Sequence, residues 1–299
     1  MADSDPVRRY KKRVAGIYDR ASSIFDQIGP RAFTQWARRL VEFAEIGPGA
    51  HVLVVGSGRG AEVFPALERV GAEGFVAGVD LVASMAELLS ADLREREITN
   101  AAVCRMDAEA LGFADASFDF VLSSNVLFLC PQPVRALEEM YRVLASSGRV
   151  ALIPSGGASG VDPSWRLREV FRTHLSESAA VKRRDEEGRS LDTALQDHLA
   201  RTDQLTVDVT TLGGLRKGLH SVGFAEISIV REEKEFFFDD EEQWWDWQWS
   251  HVRRSALEIL EPEILAALKS DVFERLRALK ENDRIRVRGA TILALAVKN

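Results

Sequence analysis

Cysteine is scarce in this chain of 299 residues, which contains only Cys104 and Cys130. Two cysteines form neither a disulfide framework nor a metal-binding cluster, and we expect no metal site. No stretch approaches 18 consecutive apolar residues, which argues against a membrane-spanning helix. The first residues lack the apolar segment of a signal peptide, and we therefore expect a cytoplasmic protein that does not bind membranes.

Positive charge is also limited, because the formal net charge is −7. Nucleic-acid binding depends on clustered Lys and Arg side chains, and we expect no nucleic-acid partner. The one basic run, residues 8–13, follows two aspartates and is interpreted as a solvated helix start. Apolar residues make up 46% of the chain and charged residues 28%, which is typical of a globular enzyme.

The first half alternates between two kinds of pattern. Short apolar runs predict β-strands at residues 51–55, 74–80, 101–106, 118–123 and 149–154. Amphipathic segments between them predict helices at residues 61–70, 83–97 and 134–144. This alternation is typical of βαβ units, which form a parallel sheet with right-handed crossovers.

The second half is less regular. Residues 155–160 predict a flexible break, Asp162-Pro163 predicts the start of a helix through about residue 175, and the charge run at 182–189 predicts an exposed loop. Further on, the patterns predict a helix at 211–222 ended by Gly223, a strand at 224–238, helices within 239–283 that break before Pro262, and a strand at 287–297.

A glycine-rich loop follows the first predicted strand. Residues 52–64 read VLVVGSGRGAEVF, with Gly56, Gly58 and Gly60 at alternate positions. This pattern fits the dinucleotide fingerprint and, equally, the loop of enzymes that bind S-adenosylmethionine (SAM). Asp80 ends the second predicted strand 20 residues after Gly60, where a carboxylate can accept both ribose hydroxyls. Both NAD and SAM contain that ribose, so these residues leave the cofactor open.

Later motifs resolve the choice. The segments VLVVGSGRG, GVDLVASM, RMDAEALGF, FDFVLSSNVLF and ALEEMYRVLASSGRVAL follow one another over about 100 residues. In this order the chain resembles the class I SAM-dependent methyltransferases, particularly the branch related to ubiquinone and menaquinone biosynthesis. The resemblance implies SAM as cofactor and an α/β, Rossmann-like, seven-stranded and mostly parallel sheet with an antiparallel last strand and helical cap insertions.

One domain with helical additions fits this pattern better than two separate domains. We expect five functional parts within residues 1–299: an N-terminal helical lid at 1–50, a SAM-binding core at 51–155, a helical insertion at 156–210, the end of the sheet at 211–238 and 284–299, and a Trp-rich helical cap at 239–283.

The resemblance also implies roles for individual residues in SAM binding. It implies that Asp80 holds the ribose and that Ser124 and Asn125 lie near the sulfonium and the acceptor. Tyr18 matches an N-terminal segment that folds over SAM. The residues that it places under the methionine end of SAM are Gly56, Ser57 and Gly58. The residues that it places at the adenine are Leu81, Met85, Asp107 and Ala108.

One position departs from the family pattern. Relatives commonly carry an acidic residue two positions before the first glycine, where it makes polar contacts around the methionine amino group. This chain has Val54 there, and valine cannot make those contacts. A SAM-binding cyclase or isomerase that does not transfer the methyl group therefore stays open as an alternative.

The acceptor pocket is predicted in the helical additions. On a helix, Trp244, Trp247 and His251 share one face, which could bind a large apolar acceptor or simply pack in the core. His251 is the candidate catalytic base. The two histidines of the central insertion, His174 and His198, stay open for that role.

These observations predict a methyltransferase that acts on oxygen or carbon of a small hydrophobic metabolite, in secondary metabolism. The segment after the fourth strand lacks the (N/D)-P-P-(Y/F) motif of enzymes that methylate amino nitrogens. We expect a small-molecule partner and leave homo-oligomerisation open. A nicotinamide-dependent reductase and a non-catalytic SAM-binding module are the less favoured alternatives.

Overall fold

The structure is a computed structural model that describes residues 5–154, 167–201 and 207–299. The predicted break at 155–160 and the predicted helix start at Asp162-Pro163 lie outside these residues. The helices are α1 (Pro6–Ala21), α2 (Ala32–Ala44), α3 (Val63–Val70), α4 (Ala83–Glu95), α5 (Pro133–Val143), α6 (Arg168–Glu177), α7 (Ala179–Arg201), α8 (Leu212–Val222), α9 (Glu241–Trp249), α10 (Arg254–Leu257) and α11 (Pro262–Arg277). The strands are β1 (His51–Val55), β2 (Phe75–Asp80), β3 (Ala101–Arg105), β4 (Phe118–Ser124), β5 (Leu144–Ile153), β6 (Phe224–Phe238), β7 (Lys280–Glu281) and β8 (Arg284–Lys298).

The strands form one sheet in the order β3-β2-β1-β4-β5-β8-β6, with the short β7 paired to β8 outside this path. Neighbouring strands from β3 to β5 are parallel, and β8 is antiparallel to β5. The predicted fold class, a mostly parallel sheet of seven main strands with an antiparallel last strand, is confirmed.

Amphipathic helices flank the parallel strands because the central strands are apolar on both faces. All of β1 after its first residue is buried, and α5 buries Ala136, Leu137, Met140 and Val143, which recur at helical spacing. This packing places the carboxyl ends of β1, β2, β3 and β4 along one edge of the sheet, the edge where open α/β sheets bind ligands.

Packing of the backbone divides the chain into two units. We call Met1–Ala32, Ser159–Asp203 and Glu233–Ala290 the helical unit, and Phe33–Ala158, Gln204–Glu232 and Thr291–Asn299 the sheet unit. Among the described residues, the chain passes from one unit to the other at the start of α2, within β6 and within β8. Within the described ranges, no helix combines the length and the apolar character needed to cross a bilayer.

Most predicted elements agree with the structure, but the loop predicted at 182–189 is wrong. These residues belong to α7, and most of their side chains are exposed. Lys, Arg and Glu are good helix formers, so a charge run without proline can be a solvated helix. Ser178 also begins this helix, since its Oγ accepts the backbone N–H of Val181 at 3.1 Å.

Candidate functional site

The glycine loop is tied to the end of β2 through Asp80. The N–H of Gly58 donates to Asp80 Oδ2 and the N–H of Val82 donates to Oδ1, both at 2.9 Å. Burial raises the pKa of the Asp80 carboxyl, while these backbone N–H groups act in the opposite direction. Each carboxylate oxygen has a second lone pair, so Asp80 can still accept hydroxyl groups of a ligand.

The three loop glycines have positive φ angles of 74°, 48° and 85°, but their surroundings differ. A Cβ on Gly56 would lie 2.0 Å from Val126 Cγ2, and one on Gly60 would lie 2.7 Å from Leu89 Cδ1. A Cβ on Gly58 would meet no atom of the described residues within 4 Å. Protein packing thus requires glycine at 56 and 60, whereas Gly58 borders open space that a ligand can fill.

The end of β3 lies beside the end of β2, where Asp80 pairs with Arg105. Asp107 follows β3, and its Oδ1 accepts the N–H of Glu109 at 3.0 Å. The N–H of Met106 donates to the carbonyl of Asp80 at 2.9 Å, which joins the ends of these two strands. Asp80 and Asp107 therefore lie at neighbouring strand ends, and the loop that holds Ala108 continues from the second of them.

Other predicted cofactor residues nearby are less open to a ligand. The side chain of Met85 is buried in α4, and Leu81 is half-buried, with its carbonyl accepting Arg105 Nε at 3.1 Å. Ser57 is also buried, with its Oγ 3.1 Å from the position of a Cβ on Gly78.

A second carboxylate lies beyond β4. Ser124 ends this strand, and its Oγ hydrogen-bonds to Oε1 of Glu62. Glu62 is only 4% exposed and directly precedes α3. The prediction from sequence omitted Glu62, although an acidic residue directly after a glycine loop and before a helix is a visible signal. Asn125 follows with a φ of 60°, and its buried Oδ1 has no hydrogen-bond partner among the described residues.

Val54 lies in the middle of β1, where it pairs with Gly78 of β2 and Leu122 of β4. Its side chain is fully buried in the sheet. The position that carries an acid in relatives is therefore purely apolar packing here.

In the helical unit, Trp247 and His251 are in contact. Their ring centroids are 4.5 Å apart, and Nδ1 of His251 lies 2.7 Å from the carbonyl oxygen of Trp247. A carbonyl oxygen only accepts, so Nδ1 carries the proton and Nε2 is the basic nitrogen. Burial and then the charge of Arg253 lower the pKa of His251 to about 3.

The other predicted residues of this unit have packing partners. Trp244 is fully buried, with its ring centroid 6.3 Å from that of Phe171. Tyr18 lies on α1, and its ring packs edge-on against Phe25 at 6.0 Å. His174 Nε2 lies 2.8 Å from Asp271 Oδ2, and His198 is half-buried in α7.

A cavity of about 760 Å³ lies within the helical unit. Its wall combines apolar side chains, including Phe171, with six Arg or Lys side chains and two acidic ones. The guanidinium of Arg253 stacks over the Phe171 ring at 4.3 Å. Such a wall suits a ligand that is both aromatic and negatively charged.

The predicted site residues thus fall into two groups. The structure brings together those of the sheet unit along one sheet edge, namely Gly56, Ser57, Gly58, Asp80, Leu81, Met85, Asp107, Ala108, Ser124 and Asn125. The helical unit holds Tyr18, Trp244, Trp247 and His251.

The sheet edge fits SAM in its chemistry. SAM carries a ribose diol, which suits the Asp80 carboxylate, and cationic ammonium and sulfonium groups, which suit carboxylate and amide oxygens. The observations that favour a ligand there are the open face of Gly58 and Asn125 Oδ1, which has no hydrogen-bond partner among the residues that the structure describes.

Known proteins agree with this assignment. A family model described as a methyltransferase domain matches residues 53–152. The chain is 30% identical over 268 residues to nocamycin O-methyltransferase of Saccharothrix syringae, covering 88% of this chain and 90% of that one. It is 39% identical over 154 residues to aklanonic acid methyltransferase of Streptomyces sp. (strain C5), covering 52% and 70%.

The fold has a solved counterpart in a Bacillus halodurans protein, with a TM-score of 0.53 and 19% identity over 88% of this chain and 98% of that one. With the motif series and the similarity over nearly the whole of an O-methyltransferase, the chain belongs to the class I SAM-dependent methyltransferases.

Proposed function

We propose that this enzyme methylates an acidic oxygen of a small, hydrophobic, aromatic metabolite in secondary metabolism. The observation that carries the proposal is the similarity to nocamycin O-methyltransferase, because it spans 88% of this chain. The match therefore includes helical-unit sequence as well as the cofactor motifs. The second relative acts, by its name, on an acid.

The proposed cofactor contacts follow the resemblance. Asp80 holds the ribose hydroxyls, and Asp107 accepts the adenine amino group, with Leu81, Met85 and Ala108 beside the base. Gly56, Ser57 and Gly58 lie under the methionine end, Ser124 and Asn125 lie near the sulfonium, and Tyr18 covers the cofactor. The exposed face of Gly58 and the carboxylate of Asp80 support the ribose and loop contacts most directly.

When bound, SAM supplies a methyl group that its sulfonium already activates for transfer. The chain's own contribution is to hold the acceptor in line with that group and to exclude water. We propose that the aromatic residues Trp244 and Trp247 shape the acceptor pocket. The buried position of Trp244 favours a supporting role behind the pocket wall, where it packs on Phe171.

His251 is proposed to accept the proton of the acceptor hydroxyl through Nε2. With a pKa of about 3, this ring is neutral at physiological pH but is a weak base. A weak base is effective only when the hydroxyl is itself acidic, as in a carboxylic acid or an enol flanked by carbonyl groups. The basic lining of the cavity suits acceptors of this acidic class, which need little help from a base to lose their proton.

A transfer assay with methyl-labelled SAM tests this function. Hydroxylated aromatic acids and their amides form matched acceptor pairs, and the product is identified by mass spectrometry. We expect label on oxygen of the acids and little label with the amides. Turnover of an acceptor without label in the product would instead support the cyclase or isomerase alternative, and label on carbon would overturn the oxygen assignment.

A further inference from the structure

We propose that Glu62 supplies the carboxylate for the methionine end of SAM, in place of the acid that relatives carry at position 54. The inference rests on the proposed SAM contacts and assigns a residue that neither the motif series nor the resemblance includes. Four features of the sheet unit support it.

The first feature is the place of Glu62 in the fold. It directly follows the glycine loop, and its contact with Ser124 fixes it beside the end of β4. In the sheet, β1 lies between β2 and β4. The carboxylates of Asp80 and Glu62 therefore flank the glycine loop from opposite sides.

The second feature is the polarity of the cofactor. If the ribose lies at Asp80, a ligand that crosses the loop extends its other end toward β4. The loop and the segment after β4 are in direct contact, because Gly56 leaves no room for a Cβ beside Val126. That other end of SAM carries an ammonium group, the natural partner of a carboxylate.

The third feature is burial. Glu62 is 4% exposed, and a buried carboxylate is costly unless hydrogen bonds or an opposite charge compensate it. The hydroxyl of Ser124 provides one such hydrogen bond. A ligand ammonium adds a charge-assisted interaction, which is stronger than a neutral one in a site of low dielectric.

The fourth feature is the neighbouring amide. Asn125 Oδ1 is a buried acceptor with no hydrogen-bond partner in the described part of the chain, and it follows Ser124 directly. An ammonium group has three donors, so it can bond to a carboxylate and an amide oxygen together. Val54, by contrast, is packed between two strands and offers no polar atom.

Titration calorimetry of the full chain with three ligands tests the assignment. SAM and S-adenosylhomocysteine contain the amino-acid end, whereas 5′-methylthioadenosine contains the adenosine and lacks it. We expect Glu62→Gln to weaken SAM and S-adenosylhomocysteine by about ten- to hundredfold and to bind methylthioadenosine like the wild type.

The matched control is Glu68→Gln on α3, whose exposed side chain pairs only weakly with Arg38 at 3.5 Å. It should leave all three affinities unchanged. Wild-type affinity of Glu62→Gln for methylthioadenosine also shows that the variant is folded. Equal weakening of all three ligands, or no weakening of SAM, would overturn the assignment.

Ser124→Ala gives an independent answer if Glu62→Gln does not fold. It removes the hydrogen bond that positions Glu62 and should weaken SAM and S-adenosylhomocysteine alike, severalfold, without affecting methylthioadenosine. Because S-adenosylhomocysteine has no sulfonium, a loss confined to SAM would reflect only the proposed place of Ser124 near that group, and it would contradict the proposal, as would an unchanged SAM affinity. If the wild-type chain itself binds none of the three ligands, the cofactor contacts fail as a whole, which is distinct from a failure at Glu62 alone.

Discussion

The carboxylate of Asp80 accepts the backbone N–H of Gly58 across the gap between the end of β2 and the glycine loop. The same carboxylate accepts the N–H of Val82 just before α4. One side chain therefore holds together three parts of the proposed cofactor site. Its structural role affects the free energy of unfolding and its proposed ligand role affects SAM affinity, so each role has its own measurement.

Asp80→Ala should weaken SAM by about ten- to hundredfold, the scale of hydrogen bonds to a charged group. It also removes the acceptor for two backbone N–H groups, so the free energy of unfolding should fall by about 1–3 kcal/mol. Titration calorimetry and urea unfolding measure the two effects separately. An unchanged SAM affinity would show that Asp80 does not hold the ribose.

The loop glycines should respond differently to alanine. In Gly56→Ala the new methyl group overlaps Val126 and the backbone keeps a positive φ, so we expect a loss of stability of about 2–4 kcal/mol. In Gly58→Ala the new methyl group meets no atom in the described part of the chain, so the variant should lose only about 1–2 kcal/mol from its positive φ.

For SAM affinity we expect the opposite order, with the larger loss in Gly58→Ala. Its added methyl group projects into the space assigned to SAM, so affinity should fall although the protein stays folded. Thermal unfolding and titration calorimetry on both variants check this contrast. Full SAM affinity in a folded Gly58→Ala variant would argue against a ligand at this face of the loop.

His251 should make stability depend on pH. Its pKa is about 3 in the folded protein and about 6.5 in an unfolded chain, so the unfolded state binds more protons between these values. The stabilising contribution of the neutral ring is present above pH 6.5 and is lost as the pH falls toward 3.

Urea unfolding at pH 7 and pH 4.5 measures this effect. His251→Gln should lose less stability between the two pH values than the wild type does. His220→Gln, which changes an exposed histidine on α8, is the matched control and should follow the wild type. Parallel pH profiles of the wild type and His251→Gln would show that the ring is not buried in its neutral form.

Arg142 should stabilise the loop that follows Asp107. Its guanidinium donates to the carbonyls of Leu111 and Phe113 at 2.8 and 2.7 Å and to Glu139 at 2.9 Å. The hydrogen bond of Arg142 to Glu139 lowers the pKa of that carboxyl, and the bonds to the two carbonyls join the loop to α5. Arg142→Ala should therefore cost about 1–3 kcal/mol, since several charge-assisted bonds are lost together.

The control for Arg142 is Arg149→Ala. Arg149 makes an ion pair with Glu45 at 3.1 Å in which both side chains are more exposed, and removing it should cost less than about 1 kcal/mol. The two variants are compared by urea unfolding. Equal losses would mean that the bonds to the loop carbonyls add nothing to stability.

The local sequence pattern predicted the secondary structure correctly where one physical signal dominated. The predicted strand at 51–55 matches β1, because an apolar run bounded by a glycine loop has few alternatives. Pro262 begins α11 as expected, since proline cannot continue a preceding helix. Thr211 caps α8 by accepting the N–H of Gly214, and Gly223 ends that helix with a φ of 108°.

Local pattern failed where charge and helix propensity compete. Residues 182–189 are polar enough for a loop, yet their helix propensity and the cap at Ser178 make them part of α7. His251 is a related case. The shared helix face was predicted, but α9 ends at Trp249, and the ring reaches Trp247 from beyond the helix through a hydrogen bond to its carbonyl.

The amino-acid sequence alone determined the order of strands along the chain, the glycine loop, the cofactor class and the family, because each depends on residues that are close together in the chain. Only the tertiary structure decided that Glu62 meets Ser124, that Val54 is buried packing and that Val126 requires glycine at position 56. These relationships join residues 62 to 70 positions apart or depend on the pairing of separate strands. Sheet pairing and burial create these relationships, and the local periodicity of the sequence does not indicate which residues meet in this way.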